Sequence, residues 1–520
     1  MQLILSLVLL ASAGTADVKP LRWLSPDNSR PLSYAEWHSK LTPQPFRAKQ
    51  LLSPVRLETR VDFFVEETLA GALRPALETL AMDLEYESVA VAVFSVSGNS
   101  PESLKLLLVR EHSTGMSSAV FVGDLPIAWF QMIDDFNNQG TNDGYEEFPC
   151  DLYFMDLDGT WQDSFVKHDS LDSLIPGSDS IYDMHLDSIT PEIAVSRLPA
   201  SRIGNAETLL ADYFDKSHRY RNQQLPVADR ALVYIDDDWE PWAAEWDSNV
   251  GLLYNNRVLV SDSEATRIAD YEPRIDSAPY QWVSLMSHSW PGGHCMYFHQ
   301  KDSTDWFYAT SILSLDPQAN FYNLFACSNA RFVEDGYCGG CYVFQTATGL
   351  GAIGSTKTGS MLRFGDFYAP MGQGATIGEA FRQWFATILS DGCDPSERSW
   401  FYGMCLIGDG SLKPRKPQAA IADPSPNTHR SSLRSVPNLR LLANPVRDHL
   451  NLDLDLRQQA SCRFSLFDRT GRAVRTLAPM TLSAGPHQLA MDASGLPAGV
   501  YFLSLSAGAE RARIPVTVLH

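Results

Sequence analysis

Reactive side chains stand in this sequence at the ends of several short apolar segments. They are Cys327 after residues 323–326, His288 after 282–286, Asp236, Asp237 and Asp238 after 231–235, and Asp124 after 119–122. A partly ionised thiol can attack a carbonyl carbon, and a neighbouring imidazole can accept the thiol proton. A carboxylate can orient that imidazole, and backbone N–H groups can bind the oxyanion. Together these residue types predict nucleophilic acyl transfer, with Ser328, beside the thiol, as a candidate substrate-binding residue.

The apolar segments alternate with segments of helical spacing, which is typical of a parallel sheet covered by helices on both faces. The predicted strands are residues 62–65, 88–96, 119–122, 231–235, 282–286, 323–326 and 350–353. The predicted helices are 71–84, where Pro75 indicates an early turn or a break, 101–110, with Ser100 as N-cap, and 206–220. Ligands bind at the carboxyl ends of strands in such sheets, so we expect an α/β domain with its reactive residues at one edge.

Length and charge limit the classes of function. The chain has 520 residues, and 62 acidic against 41 basic side chains give a net charge of -21. This length predicts two or three domains, and the acidic balance argues against nucleic acid or an anionic membrane as partner. Eight cysteines in a chain of this length do not indicate a disulfide-dense scaffold. No segment has about 18 unbroken apolar residues, so no transmembrane helix is expected.

The two ends differ from the middle. Residues 1–16 read as a secretory signal peptide, and 17–60 as a short propeptide-like segment before a catalytic domain at 61–414. Residues 415–437 are rich in Pro and Ser and are predicted to be a linker. Short alternating strands separated by turn residues fill 438–520, which indicates a small β-sandwich.

Two blocks of sequence resemble gingipain-like cysteine peptidases of family C25, which have a caspase-like fold. They are 283–289 (VSLMSHS) around His288 and 325–329 (FACSN) around Cys327. Further segments fit in the same order at 121–126, 151–161, 191–199, 351–355 and 406–412. The resemblance spans about residues 60–415. It implies a secreted cysteine endopeptidase that acts on proteins or peptides and needs no cofactor for catalysis.

The resemblance also implies roles for single residues. Cys327 is the expected nucleophile, His288 the proton carrier and Asp238 the third catalytic acid, with Asp236 as the fallback. The acid that selects Arg in some gingipains falls near Asp247. The family usually has Gly on both sides of the histidine, whereas this sequence has Ser287 and Ser289. A Cβ where the backbone approaches the substrate could weaken activity, so a catalytically inactive, surface-displayed binding protein is the alternative.

The last 80 residues or so resemble the C-terminal sorting domain of type IX secretion. The resemblance lies in Asn444-Pro445, in 466–472 and in the stretch 495–501 (GLPAGVY). It implies the type IX machinery as a partner and predicts a secreted protein or one attached to the bacterial outer membrane. The final strand, 511–520, departs from the family's basic pattern.

Other constellations leave alternatives open. Asp156, Asp158 and Asp163 surround a Gly turn and predict a structural calcium site. His294 could replace His288, and His288, His294, Cys295 and His299 could bind zinc in a metal-dependent hydrolase. Ser287 or Ser328 could act as a nucleophile, although only adjacency favours them. Cys338 and Cys341 could form a local disulfide, and Cys393 could pair with Cys405.

Overall fold

The computed structural model describes residues 23–167, 174–225, 227–414, 438–442, 446–456, 458–467, 473–507 and 510–519. The predicted signal peptide at 1–16 and the predicted linker at 415–437 lie outside the described residues. Among the helices of these ranges, none combines the length and apolar character that a membrane span requires.

The first part of the chain alternates strands and helices as the sequence predicts. Its elements are α1 (Tyr34–His38), β1 (Arg47–Leu52), β2 (Thr59–Glu66), α2 (Glu67–Tyr86), β3 (Val89–Ser97), α3 (Pro101–His112), β4 (Ser118–Val122), β5 (Trp129–Asp134), β6 (Gly144–Pro149), α4 (Leu152–Met155), β7 (Thr160–Gln162), β8 (Phe165–Lys167), β9 (Leu174–Pro176), β10 (Met184–Leu186) and β11 (Ala194–Leu198). The N-cap prediction for α3 is confirmed, because the Ser100 hydroxyl accepts a hydrogen bond from the Ser103 N–H at 3.1 Å. Pro75 does not break α2, which continues through it with Pro75 on the exposed side.

The second part continues the alternation and adds a hairpin that the sequence did not indicate. Its elements are α5 (Ala206–Arg221), β12 (Ala231–Ile235), α6 (Ala243–Val250), β13 (Arg257–Val260), α7 (Ile268–Ser277), β14 (Tyr280–Met286), β15 (His288–Trp290), β16 (Gly293–Phe298), β17 (Ser303–Tyr308), α8 (Ala309–Leu315), β18 (Ala319–Phe325), α9 (Cys338–Phe344), β19 (Gly351–Ser355), α10 (Phe364–Gly372), α11 (Ile377–Leu389), α12 (Pro395–Phe401) and β20 (Met404–Gly408). Strands β15, β16 and β17 form a small antiparallel sheet that begins at His288.

Eleven described strands form one large sheet in the order β1-β3-β2-β4-β11-β20-β19-β18-β14-β12-β13. Most neighbours are parallel, but β1 is antiparallel to β3, and β19 is antiparallel to β20. The strands from β3 to β20 therefore run opposite to those from β19 to β13. Both faces are buried by helices, with Trp282 and Met286 in the core cluster on one face and Val283 and Leu285 in that on the other.

The C-terminal part is made of strands in two sheets. The strands are β21 (Asn438–Leu441), β22 (His449–Leu456), β23 (Ala460–Phe467), β24 (Ala473–Thr476), β25 (Met480–Leu482), β26 (Gly485–Asp492), β27 (Gly499–Ala507) and β28 (Glu510–Val518). One sheet has the order β21-β22-β26, and the other has β24-β23-β27-β28, with β25 also paired to β23. Alternate residues of β22, namely Leu450, Leu452, Leu454 and Leu456, are buried in the core between them.

Candidate active site

Strand register brings His288 and Cys327 to the same edge of the sheet. Strands β14 and β18 are parallel, with Met286 opposite Phe325. His288 and Cys327 each come two residues after this pair, so they lie at the same end of the two strands. The two turns are also joined by a hydrogen bond, in which the Ser289 hydroxyl donates to the Cys327 carbonyl at 2.6 Å. The serine that replaces the usual glycine therefore links the histidine turn to the cysteine turn.

The His288 ring is held by a carboxylate and by two aromatic rings. Its Nε2 lies 2.7 Å from Asp238 Oδ2, and the two side chains are 24% and 13% exposed. The ring centroid is 5.7 Å from that of Trp239 and 4.7 Å from that of Tyr297. Among the hydrogen bonds of the described residues, none engages Nδ1. Because Nε2 is occupied, Nδ1 is the nitrogen that can exchange a proton with a reacting group.

The environment of Asp238 keeps its carboxylate ionised. Burial alone would raise its pKa, but hydrogen bonds from His288 and Lys301 outweigh burial and lower the pKa below its usual value. Lys301 also forms an ion pair with Oδ1. A carboxylate that remains charged can orient an imidazole and stabilise the imidazolium form.

Asp236, the fallback acid of the sequence analysis, serves a different purpose in the structure. Its side chain is fully buried, and Oδ1 accepts a hydrogen bond from the Asp238 N–H at 3.0 Å. Burial raises its pKa to about 7. Asp236 thus shapes the turn that presents Asp238, and Asp238 is the residue that contacts His288.

One peptide group lies between the Cys327 sulfur and a buried lysine. The thiol is half-buried, and burial raises its pKa, whereas the Gly359 N–H that faces the sulfur lowers it. The carbonyl of the same peptide group, which belongs to Thr358, accepts a hydrogen bond from Lys357 Nζ at 2.5 Å. We call this arrangement the peptide relay. It orients one N–H donor towards the place where a thiolate would carry its charge.

Lys357 is fixed by groups that are buried with it. Its Nζ lies 2.9 Å from Asp134 Oδ1 and 2.9 Å from Glu146 Oε2, and both the ammonium group and Asp134 are fully buried. Burial raises the pKa of Asp134 well above its usual value despite the nearby ammonium. The Lys357 carbonyl also accepts a hydrogen bond from the Ser328 N–H at 2.9 Å. The lysine and its carboxylates therefore support the turn that follows the thiol.

The structure does not expose Ser328, the predicted substrate-binding residue. It has a φ of +57°, in the left-handed region, and its side chain is fully buried without a hydrogen-bond partner for Oγ. Ser287 is also buried, and its Oγ has no partner either. In this conformation neither hydroxyl can reach a substrate, so a serine nucleophile has no support.

Two predicted acidic residues lie at the other edge of the sheet. Asp247 binds Arg257 through both carboxylate oxygens at 3.0 Å, beside the first residues of β12 and β13. It lies there because α6 runs back from the carboxyl end of β12. Asp124 follows β4, whose half of the sheet runs in the opposite direction after the β19–β20 reversal. The expectation that Asp124 joins the reactive edge is therefore wrong, and Asp247, expected near the acid that selects Arg, is paired with Arg257 away from that edge.

The predicted calcium ligands are only partly brought together. Carboxylate oxygens of Asp156, Asp158 and Glu192 lie within 4.8 Å of one another. Asp163 is elsewhere, because its carboxylate accepts hydrogen bonds from the loop N–H groups of residues 179 and 180. Oxygen donors suit Ca²⁺, and Lys105, whose pKa burial lowers to about 8, stands near the three carboxylates. Calcium stays a prediction for this site, with Glu192 in place of Asp163. The sequence pattern did not indicate Glu192, because it lies more than 30 residues after Asp158 in the chain.

The residues suggested for zinc do not form one metal-binding group among the described residues, although His288 and Cys295 are opposite each other on β15 and β16. The buried His294 has Nε2 3.1 Å from the Tyr342 hydroxyl, and His299 pairs with Glu264, whereas His288 is bound to Asp238. All eight cysteines are free. Cys338 Sγ lies 3.5 Å from the His294 ring instead of forming a bond with Cys341, and Cys393 and Cys405 are likewise unbridged.

The fold is a mostly parallel α/β sheet that carries a thiol and an imidazole at one edge. The family model of peptidase family C25 matches residues 91–415, which is more than half of the chain. The chain therefore belongs to peptidase family C25. The model of the secretion system C-terminal sorting domain matches residues 443–515, so the protein is secreted by the type IX system to the cell surface or beyond.

Other comparisons add little. No curated protein matches this chain. One solved structure, the crystal structure of an engineered protein, shares 9% identity with it, covers 64% of this chain and 66% of its own, and has a TM-score of 0.13. A similarity this low carries no argument about fold or function.

Proposed function

We propose that this protein is a secreted cysteine endopeptidase in which Cys327, His288 and Asp238 act together. The three residues follow neighbouring strands of the sheet, which supports the proposal. The observation that carries it is the contact of 2.7 Å between His288 Nε2 and Asp238 Oδ2. That contact leaves Nδ1 as the basic nitrogen at the edge where the thiol stands. The substrates are proteins or peptides, as the family implies.

The reaction proceeds through an acyl-enzyme. His288 takes the proton of Cys327, and the sulfur attacks the scissile carbonyl to form a tetrahedral oxyanion. The imidazolium then protonates the leaving amine as the C–N bond breaks, which leaves a thioester on Cys327. Water attacks the thioester, gives a proton to His288 and releases the acid, while the sulfur recovers its proton. Asp238 stabilises the imidazolium during both halves of the reaction.

The test replaces the nucleophile and its partner. Cys327→Ala and His288→Ala are each expected to abolish hydrolysis of a casein substrate, whereas wild-type protein is inactivated by iodoacetamide in step with alkylation of Cys327. Cys393→Ala is the matched control, because this thiol is also half-buried but lies outside the site. Full activity of Cys327→Ala would refute the proposal.

A catalytically inactive binding protein on the same fold is the second candidate. It is favoured by the raised pKa of Cys327 and by the absence of a hydrogen bond between the described Cys327 sulfur and His288. A peptide probe with a thiol-reactive warhead distinguishes the two. Rapid labelling of Cys327 supports the peptidase, and labelling no faster than that of a denatured control supports the binding protein.

A further inference from the structure

Three aromatic side chains surround the end of β18, next to Cys327. The Phe325 ring lies 4.8 Å from the Trp239 ring and 6.1 Å from the Trp400 ring, measured between centroids. Phe325 is buried, whereas both tryptophans are half-buried and present part of their indole rings at the surface. We call Trp239, Phe325 and Trp400 the aromatic shelf. The Phe325 ring is also covered by the rings of Trp246 and Phe364, at 5.1 and 6.1 Å between centroids, so the exposed surface of the shelf comes from the two indoles.

The shelf adjoins both proposed catalytic groups. Trp239 contacts His288, with ring centroids 5.7 Å apart. On the other side, a Cβ added to Gly359 would lie 2.7 Å from the Trp400 carbonyl, and the Gly359 N–H faces the Cys327 sulfur. Gly359 has a φ of +119°, a conformation that favours glycine and permits this close approach. The shelf therefore lies next to the position at which Cys327 would attack a substrate carbonyl.

Apart from the buried Asp236, the carboxylates that contact the site are already bound to cations of the protein. Asp238 is bound to His288 and Lys301, and Glu146 to Lys357. Asp247, the residue expected to select Arg, is paired with Arg257 at the opposite edge. A cationic side chain on the shelf would lose water without gaining one of these counter-ions, whereas an apolar side chain would bury its surface against rings.

We propose that the aromatic shelf receives a large apolar side chain of the substrate residue on the amino side of the scissile bond. The enzyme then cleaves after Phe, Tyr, Trp or Leu in preference to Arg or Lys. This inference rests on the proposed function and adds the substrate class to it. The indole nitrogen of Trp239 is buried without a partner, so the surface that Trp239 offers is its apolar ring.

A series of fluorogenic peptides that differ only in the residue before the scissile bond tests the inference. With the full chain, kcat/KM is expected to be at least about tenfold higher for Phe or Leu than for Arg or Lys, since a filled apolar site discriminates by that factor or more. Equal or faster cleavage after Arg or Lys overturns the inference but leaves the peptidase intact. No cleavage of any peptide, together with no probe labelling of Cys327, overturns the proposed function and the inference with it.

A variant locates the preference on the shelf. Trp400→Ala is expected to lower kcat/KM about tenfold more for the Phe peptide than for an Ala peptide, whereas Trp400→Phe retains most of the preference. An equal loss for both peptides would indicate a structural role only and would overturn the assignment to the shelf. The peptide series with unaltered protein decides the substrate class even if Trp400→Ala does not fold.

Discussion

The peptide relay predicts that Lys357 controls the reactivity of Cys327 without touching it. Lys357 Nζ donates to the Thr358 carbonyl, and the N–H of the same planar peptide faces the sulfur. Lys357→Met keeps an unbranched side chain of similar length and removes the charge. We expect this change to raise the pKa of the Cys327 thiol, because a nearby buried cation favours the thiolate.

The magnitude follows from the geometry. One hydrogen bond, one peptide group and the approach of the Gly359 N–H to the sulfur separate Nζ from the sulfur, which places them roughly 8 Å apart. At an effective dielectric constant of about 20, two unit charges at that distance interact by about 2 kcal/mol. This energy corresponds to a pKa rise of about 1.5 units.

The assay follows alkylation of Cys327 by iodoacetamide as a function of pH, with peptide mapping to separate it from other thiols. The midpoint for Lys357→Met is expected about 1.5 pH units above that of the wild type. Glu146→Gln is expected to shift the midpoint downwards, because the Glu146 carboxylate raises the pKa of the thiol. That shift should be smaller, since Asp134 can ionise and take its place beside Lys357.

Stability needs a separate control. Removing the ammonium group leaves Asp134 and Glu146 buried without their cation, which costs about 3–5 kcal/mol. Lys216→Met is the matched control, because Lys216 is also a buried lysine that donates to backbone carbonyls, here of Val343 and Thr346. It should lower the melting temperature and leave the alkylation profile unchanged. A folded Lys357→Met protein with the wild-type midpoint would refute the relay.

Further predictions concern the acids and the domain ends. Asp238→Asn should lower kcat/KM for a peptide by about 10²–10⁴-fold, while thiol labelling continues; a loss of only a few-fold would contradict its role. Asp236 has a folded pKa of about 7 against a reference value of 3.8, so its stabilising contribution is full below about pH 4 and is lost as pH rises to about 7. Asp236→Asn should therefore flatten the melting-temperature profile between these values, and an unchanged slope would count against this. Ca²⁺ should raise the melting temperature of wild type and of Asp163→Asn but not of Glu192→Gln; a response of Glu192→Gln equal to that of the wild type would show that the ion binds elsewhere. Removing residues 438–520 should prevent export to the surface or medium, as measured by fractionation, and normal export would exclude a sorting role.

Local pattern was sufficient for the elements that carry the site. Continuous apolar segments predicted β12, β14 and β18 because strands buried on both faces cannot alternate with polar residues. The polar residues that follow these strands predicted which strand ends carry the candidate catalytic side chains. Pro75 shows the limit of such patterns, since α2 tolerates it where that side of the helix is exposed.

The relay and the aromatic shelf could not be predicted from local sequence. Lys357 binds Asp134 and Glu146, which precede it by more than 200 residues. Trp400, a residue of α12, packs against Phe325 at the end of β18. No periodicity or spacing encodes such pairs, because they depend on how separate loops converge above the sheet.

The sequence by itself determined the α/β alternation and the sorting domain, and it predicted the thiol and the imidazole, because each of these signals lies in a short contiguous segment. Only the tertiary structure decided which acids join them. The antiparallel pair β19–β20 turns the end of β4 away from the reactive edge, and α6 carries Asp247 back to the start of β13. Strand direction is set by long-range pairing, so a residue's place along the chain cannot tell at which edge its side chain lies.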